Sequence, residues 1–138
     1  MIKSIPKITL KNILCDADFF VALLIQNDSN HLKARAIVDN HLEANFLYSN
    51  LTKYELMTVL SRKLDQKKAV ECFELFTDTF EDEFQFDITL EPQIIDFYKQ
   101  STNKNQSFFD IVCLVTAQKL NYKIASFDQF YPKDLLCQ

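Results

Sequence analysis

Asp16, Glu55, Asp110 and Asp128 are the residues of this 138-residue chain whose types and placement suit catalysis. Each falls at or just beyond the carboxyl end of an apolar segment, or in the first turns of the helix that follows one, so all four can line one crevice. Unpaired carboxylates brought together repel and raise one another's pKa, and such a cluster normally holds a cation. Oxygen ligands without nearby His or Cys suit Mg²⁺ or Mn²⁺, which bind water and substrate phosphate alongside one or two protein carboxylates. Two such ions, about 3.5–4 Å apart, activate a water and stabilise the departing oxygen of a phosphodiester. Hydrolysis of a nucleic acid is the chemistry this set points to.

Each acid also has a plain structural explanation. Thr52 with Glu55, and Ser107 with Asp110, have the spacing of a capping box, in which a hydroxyl and an acid satisfy free backbone N–H groups. Asp128 suits a turn after a strand. Asp16 is harder to explain away, because it sits between two apolar segments, where a charge is costly unless it is paired or bound to metal. The functional case therefore rests on the set.

The elements that must position these acids alternate between strand and helix. Ile13 to Cys15 form a short apolar strand before the acidic turn Asp16–Ala17–Asp18, and Phe19 to Ile25 open a helix. Ser29 caps a second helix with Ala34, Ile37, Val38 and Leu42 on one face. Phe46 to Tyr48 read as the second strand, followed by a helix with Leu56, Val59, Leu60 and Leu64 inward, and then by one bearing Ala69, Cys72, Phe73, Phe76 and Phe80. The stretch FQFDITL alternates as a third strand, with Phe84, Phe86 and Ile88 on one side. Pro92 suits the first turn of a helix facing Ile94, Ile95 and Tyr98 inward, and the polar run from Gln100 to Gln106 is a loop.

The segment SFFDIVCLVTAQKLNYKIASFDQFY organises the remainder. Phe108, Ile111, Val112 and Val115 keep helical spacing, and Leu114 and Ala117 widen the face into a core helix. Asn121 stands where a left-handed cap is wanted, Lys123 to Ser126 form a strand, and Asp128 lies past its carboxyl end. In an open α/β sheet the ligand crevice lies at that end. Alternating strands and helices predict a parallel sheet with right-handed crossovers.

Composition narrows the function further. With 48% apolar residues the chain folds as one globular domain, and a formal charge of −4 gives weak non-specific attraction to nucleic acid. The absence of glycine excludes P-loop and dinucleotide fingerprints. Cys15, Cys72, Cys113 and Cys137 are scattered, without the close pairs of zinc or redox motifs, and read as buried free thiols. No apolar run is long enough to span a bilayer, so the expected location is cytoplasmic, with no membrane partner. His31 and His41 carry no expected role, and the Phe-rich stretch from Phe73 to Phe86 suggests core or a homodimer face. Lys53, Arg62 and Lys104 are the weak candidates for contact with a phosphate backbone.

With these positions placed, ILCDADFFVALL, LYSNLTKYELMTVLSRK, SFFDIVCLVTAQKL and KIASFDQFY resemble, in order, the four acidic motifs of PIN domains, especially the small VapC-type ribonuclease toxins. The resemblance implies a three-layer α/β/α sandwich with a central parallel sheet, Mg²⁺-dependent endoribonuclease activity and a tightly bound antitoxin. It assigns Asp16, Glu55, Asp110 and Asp128 to metal binding and catalysis, and Ser126 to the small hydroxyl residue two before the last acid. Asp18 lies where the family has a small polar residue or another acid, and either contacts metal through water or caps the following helix. Two departures stand out. Asn121 replaces a frequent glycine, and the ending PKDLLCQ leaves the fifth strand short or absent. The domain is expected to span residues 13–138, with residues 1–12 as an extension.

Two other readings compete. Asp16, Ala17 and Asp18 after a strand also resemble the acid pair of haloacid-dehalogenase phosphatases, with Ser49 as a faint second echo. Phe20 departs from that family's preference, no lysine is clearly placed for it, and Glu55 has no role in it. The other alternative is a catalytically inactive PIN-like module that binds RNA or protein.

Overall fold

The computed structural model describes residues 11–101 and 106–137. Lys104 and residues 1–10 of the expected extension lie outside the described residues. The elements are β1 (Asn12–Cys15), α1 (Ala17–Leu24), α2 (His31–Asn40), β2 (Asn45–Ser49), α3 (Asn50–Lys63), α4 (Gln66–Thr79), β3 (Glu83–Phe84), α5 (Glu91–Gln100), α6 (Phe108–Leu120) and β4 (Lys123–Ala125). The strands pair in parallel in the order β3-β2-β1-β4. Placing β1 in the middle sets Asp16, directly after it, at the centre of the sheet's carboxyl edge.

Side chains alternate across a strand, and β1 shows it. Ile13 and Cys15 join the core beneath α1 to α4, whereas Leu14 packs on the opposite side with Cys113, Leu114 and Ala117 of α6. The result is the expected three-layer α/β/α sandwich. On the first side Phe20 stacks edge-on against Phe76 and Phe80 at centroid distances of 4.8 and 4.9 Å. The Phe-rich helix α4, a candidate homodimer face by sequence, thus contributes Phe76 at 0% exposure to this core. On the other side α6 is buried at every position from Asp110 to Ala117. Asn121 ends it at φ 57°, the left-handed cap its position predicts.

After α4 the structure departs from the sequence pattern, and local hydrogen bonds are the cause. FQFDITL does not form a full strand. Only Glu83 and Phe84 pair with β2, because the Phe86 N–H donates to Asn50 Oδ1 at 2.7 Å instead of to a neighbouring strand. Asp87 then accepts from the Thr89 N–H and caps a 3-10 turn, Ile88–Leu90, which leaves Ile88 70% exposed. Asn30, not Ser29, occupies the N-cap of α2, and α2 ends before Leu42, which is exposed. Ile95 and Tyr98 of α5 also face outward, leaving Ile94 as its buried residue.

The chain past Asp128 supplies one parallel bridge, Ile124 to Leu136, in place of a full fifth strand. All four cysteines are free, with Cys15, Cys113 and Cys137 buried. Among the described residues no helix is long and apolar enough to cross a membrane.

Candidate functional site

Asp16 is buried at 4% exposure, and its position follows from the sheet. Its N–H donates to the Ala125 carbonyl at 3.1 Å, which continues the β1–β4 ladder and fixes the residue at the strand end. The carboxylate then turns back on α1, where Oδ1 accepts from the Ala17 N–H at 2.8 Å and caps the helix. Oδ2 accepts from the Tyr131 hydroxyl at 2.7 Å and, at 3.4 Å, from Ser126 Oγ.

Asp18 is not the cap of α1, since Asp16 holds that place. Instead it reaches across to the loop after β4, accepting from the Phe127 N–H at 2.9 Å and from Ser126 Oγ at 3.0 Å. Ser126 Oγ in turn accepts from the Asp128 N–H at 3.1 Å. The hydroxyl thereby links Asp16, Asp18 and the backbone of Asp128. Asp128 Oδ1 accepts from the Phe130 N–H at 2.9 Å, the turn arrangement its position suggests.

The two capping boxes read from the sequence separate. Ser107 and Asp110 form one in full: Ser107 Oγ accepts from the Asp110 N–H, and Asp110 Oδ2 accepts from the Ser107 N–H at 2.9 Å. Capping uses only one carboxylate oxygen, so it does not exclude a second role. Thr52 and Glu55 form none. The N-cap of α3 is Ser49, which accepts from the Thr52 N–H and leaves Glu55 a full turn too late to cap. Glu55 Oε2 is buried and has no hydrogen-bond partner among the described residues.

The electrostatics follow from this packing. Burial pushes the Asp16 carboxyl well above the ordinary range, and the charge of Asp18 adds to the effect, against the stabilising Tyr131 hydrogen bond. Burial raises Glu55 to about 7, with Asp110 and Asp18 contributing repulsion. Asp18 rises to about 6, again mainly by burial, although the Phe127 N–H and Ser126 oppose it. Asp110 is raised by burial and by the charge of Asp128, against its bond to Ser107. The five acids thus lie close enough to feel one another. Among the described residues no three His, Cys, Asp or Glu side chains are gathered closely enough to ligate one ion as they stand.

The basic candidates fare differently. Lys53 Nζ pairs with Glu83 at 2.6 Å, so it is engaged at the edge of the sheet instead of being held out for a phosphate. Arg62 is exposed near the end of α3, two turns beyond Glu55. Neither ion pair found among the described residues, Lys53–Glu83 or Lys119–Asp87, involves one of the five acids.

Tyr131 is the site residue that sequence reading passes over. It lies 115 positions from Asp16 in an irregular segment, and no periodicity or motif marks a hydroxyl there.

An all-oxygen set of mutually repelling carboxylates, one with a buried oxygen unpartnered among the described residues, has the chemistry of a site for a hard divalent cation. Comparison with known proteins agrees with the fold around it. The profile described as PIN domain matches residues 13–132. Among solved structures, Mycobacterium tuberculosis VapC20, described as a Sarcin-Ricin loop cleaving toxin, is similar with a TM-score of 0.73 at 21% identity, covering 86% of this chain and 91% of that one. FitAcB from Neisseria gonorrhoeae aligns with a TM-score of 0.64 at 21% identity, covering 84% and 87%. VapBC2 from Rickettsia felis, bound to a DNA fragment from its promoter, gives 0.63 at 10% identity, covering 85% and 88%. No curated protein sequence gives a significant match.

Proposed function

Because the chain belongs to the PIN-domain family, whose members are nucleases, we propose that it is a Mg²⁺-dependent endoribonuclease, with Mn²⁺ able to replace Mg²⁺, and the toxin of a toxin–antitoxin pair. One observation carries the reading. Glu55 buries a carboxylate oxygen that has no partner among the described residues, beside acids that repel it, and a buried charge of this kind is retained at a cost that a bound cation removes. Ser49, not Thr52, caps α3, so Glu55 is not engaged as the acid of a capping box, which supports this reading.

Asp16, Glu55, Asp110 and Asp128 are the residues that would hold the ion, with Asp18 and Ser126 supporting them. A divalent ion bound there supplies Lewis-acid polarisation of a phosphoryl oxygen and a water of lowered pKa. The protein's own share is orientation and exclusion. Ser126 fixes Asp18 and the backbone of Asp128 together, the Ser107 N–H leaves Asp110 one further oxygen, and the β1–β4 ladder holds Asp16 still. Without a cation the same carboxylates repel an RNA phosphate, so metal and substrate bind in linkage. The haloacid-dehalogenase reading has no place in a PIN domain.

VapC20 is described as a toxin, and VapBC2 and FitAcB belong to the same fold group. An antitoxin segment bearing Arg or Lys would inhibit this chain by competing with metal for the carboxylates.

The test is cleavage of structured and unstructured RNA with Mg²⁺, with Mn²⁺ and with EDTA, alongside Asp16→Asn and Asp110→Asn. Metal-dependent cleavage lost in both variants is the expected result. Equal RNA binding in EDTA and in Mg²⁺, with cleavage absent and Asp16→Asn without effect, would show a non-catalytic binding module instead.

A further inference from the structure

We infer that Tyr131 is a positioning residue for the metal-binding carboxylate of Asp16, an inference that rests on the nuclease reading above. The geometry is specific. The Tyr131 hydroxyl donates to Asp16 Oδ2 at 2.7 Å, the length of a charge-assisted O–H···O bond, while the Ala17 N–H holds Oδ1 at 2.8 Å. With a short hydrogen bond on each oxygen, and Ser126 Oγ at a longer 3.4 Å from Oδ2, rotation of the carboxylate about its Cβ–Cγ bond is fixed. Both donors leave lone pairs on their oxygens for a cation, since a carboxylate oxygen accepts more than one partner. Fixing a ligand through an outer hydrogen bond is the usual way a protein sets the aim of a metal-binding side chain.

The same contact is also a tether. Tyr131 stands three residues after Asp128 in the loop beyond β4, so its bond ties the segment carrying Asp128 to the end of β1. Ser126, on the other side of Asp128, reaches Asp16 and Asp18. Asp128 is therefore pinned on both flanks to the carboxylates it must join. The Tyr131 ring is buried at 2% exposure among Cys113, Leu114 and Phe130, with the Phe130 ring 5.2 Å away, so the hydroxyl has little freedom to leave Asp16.

The experiment compares the full chain with Tyr131→Phe, which keeps the ring and removes only the hydroxyl. Leu135→Ala, from the same apolar cluster, serves as the control for lost packing. Mn²⁺ binding is read by calorimetry, and RNA cleavage is followed as a function of Mn²⁺ concentration, with melting temperature recorded for each protein. Tyr131→Phe should weaken Mn²⁺ binding by about 10-fold or more and shift the metal dependence of cleavage to higher concentration, with partial recovery at saturating metal. Leu135→Ala should lower the melting temperature without moving either metal readout. Wild-type Mn²⁺ affinity in Tyr131→Phe would overturn the positioning role and leave the nuclease reading intact. Equal weakening by Leu135→Ala would reduce Tyr131 to a packing residue. Absence of Mn²⁺ binding in the wild-type chain would overturn both.

Discussion

Asp18, in the first turn of α1, accepts a hydrogen bond from the backbone N–H of Phe127 at 2.9 Å and so joins two segments 109 residues apart in the chain. The carboxylate does this at an electrostatic cost, since burial holds its pKa up at about 6 and Asp128 repels it. Glu55, at about 7, shares the condition. A carboxyl whose folded pKa exceeds its unfolded value binds protons more tightly when folded, so its contribution is full below the unfolded pKa, near 4, and is lost as pH rises through the folded pKa. The metal-free protein should therefore lose several degrees of melting temperature between about pH 5.5 and 7.5, and Mg²⁺ should restore them at the upper end. Asp18→Asn keeps an acceptor for Phe127 and removes the charge. It should melt higher than wild type at pH 7.5 in EDTA and show a shallower pH dependence, both read by scanning calorimetry. A wild-type melting temperature that rises through this window would contradict the arrangement.

Glu55→Gln separates folding from function at a single oxygen. The amide is neutral and relieves a buried charge that has no partner among the described residues, so the variant should be at least as stable as wild type without metal. Its cleavage rate should fall by more than about 100-fold, beyond what loss of an outer-shell partner typically costs. Melting curves in EDTA together with initial cleavage rates in Mg²⁺ check both halves.

What could be read from the sequence was whatever is encoded locally. Ile13 to Cys15, the wide apolar face of α6 and the left-handed Asn121 all follow from residue type and period, and the parallel pairing, though not the strand order, follows from alternation of strand and helix. FQFDITL misled because its alternation is real while its backbone is claimed elsewhere, by Asn50 on one side and Asp87 on the other. Thr52 and Glu55 have capping spacing, yet Ser49 starts the helix three residues before Thr52 and frees Glu55 from that task. Among the acids, the strand-end position of Asp16 was visible. Its grip by Tyr131 was not, because only the folded chain brings an irregular segment back to β1.

Lys53 illustrates how a basic residue near a site can be spoken for. Its bond to Glu83 at 2.6 Å joins α3 to β3, at the far edge of the sheet from β4. Lys53→Ala should destabilise by no more than about 1 kcal/mol, the usual range for a partly exposed pair, and should leave the KM for RNA unchanged. A several-fold rise in KM with unaltered melting would instead make Lys53 a phosphate contact.

Asp110 combines a structural and a chemical role, and paired substitutions should pull them apart. Its Oδ2 accepts from the Ser107 N–H, while Ser107 Oγ accepts from the Asp110 N–H, so either side chain can be removed to break the capping box. Ser107→Ala should cost about 1 kcal/mol through the lost cap while retaining most of the cleavage activity, because the Asp110 carboxylate remains. Asp110→Asn keeps an acceptor for the Ser107 N–H and gives up the charge. The buried carboxyl is already destabilised by its surroundings, so the variant should fold as well as wild type yet lose cleavage by more than about 100-fold. Denaturant melts and cleavage rates on the two variants decide the matter. If Ser107→Ala loses as much cleavage as Asp110→Asn at equal metal, the cap itself sets the catalytic geometry and the carboxylate has no separate role.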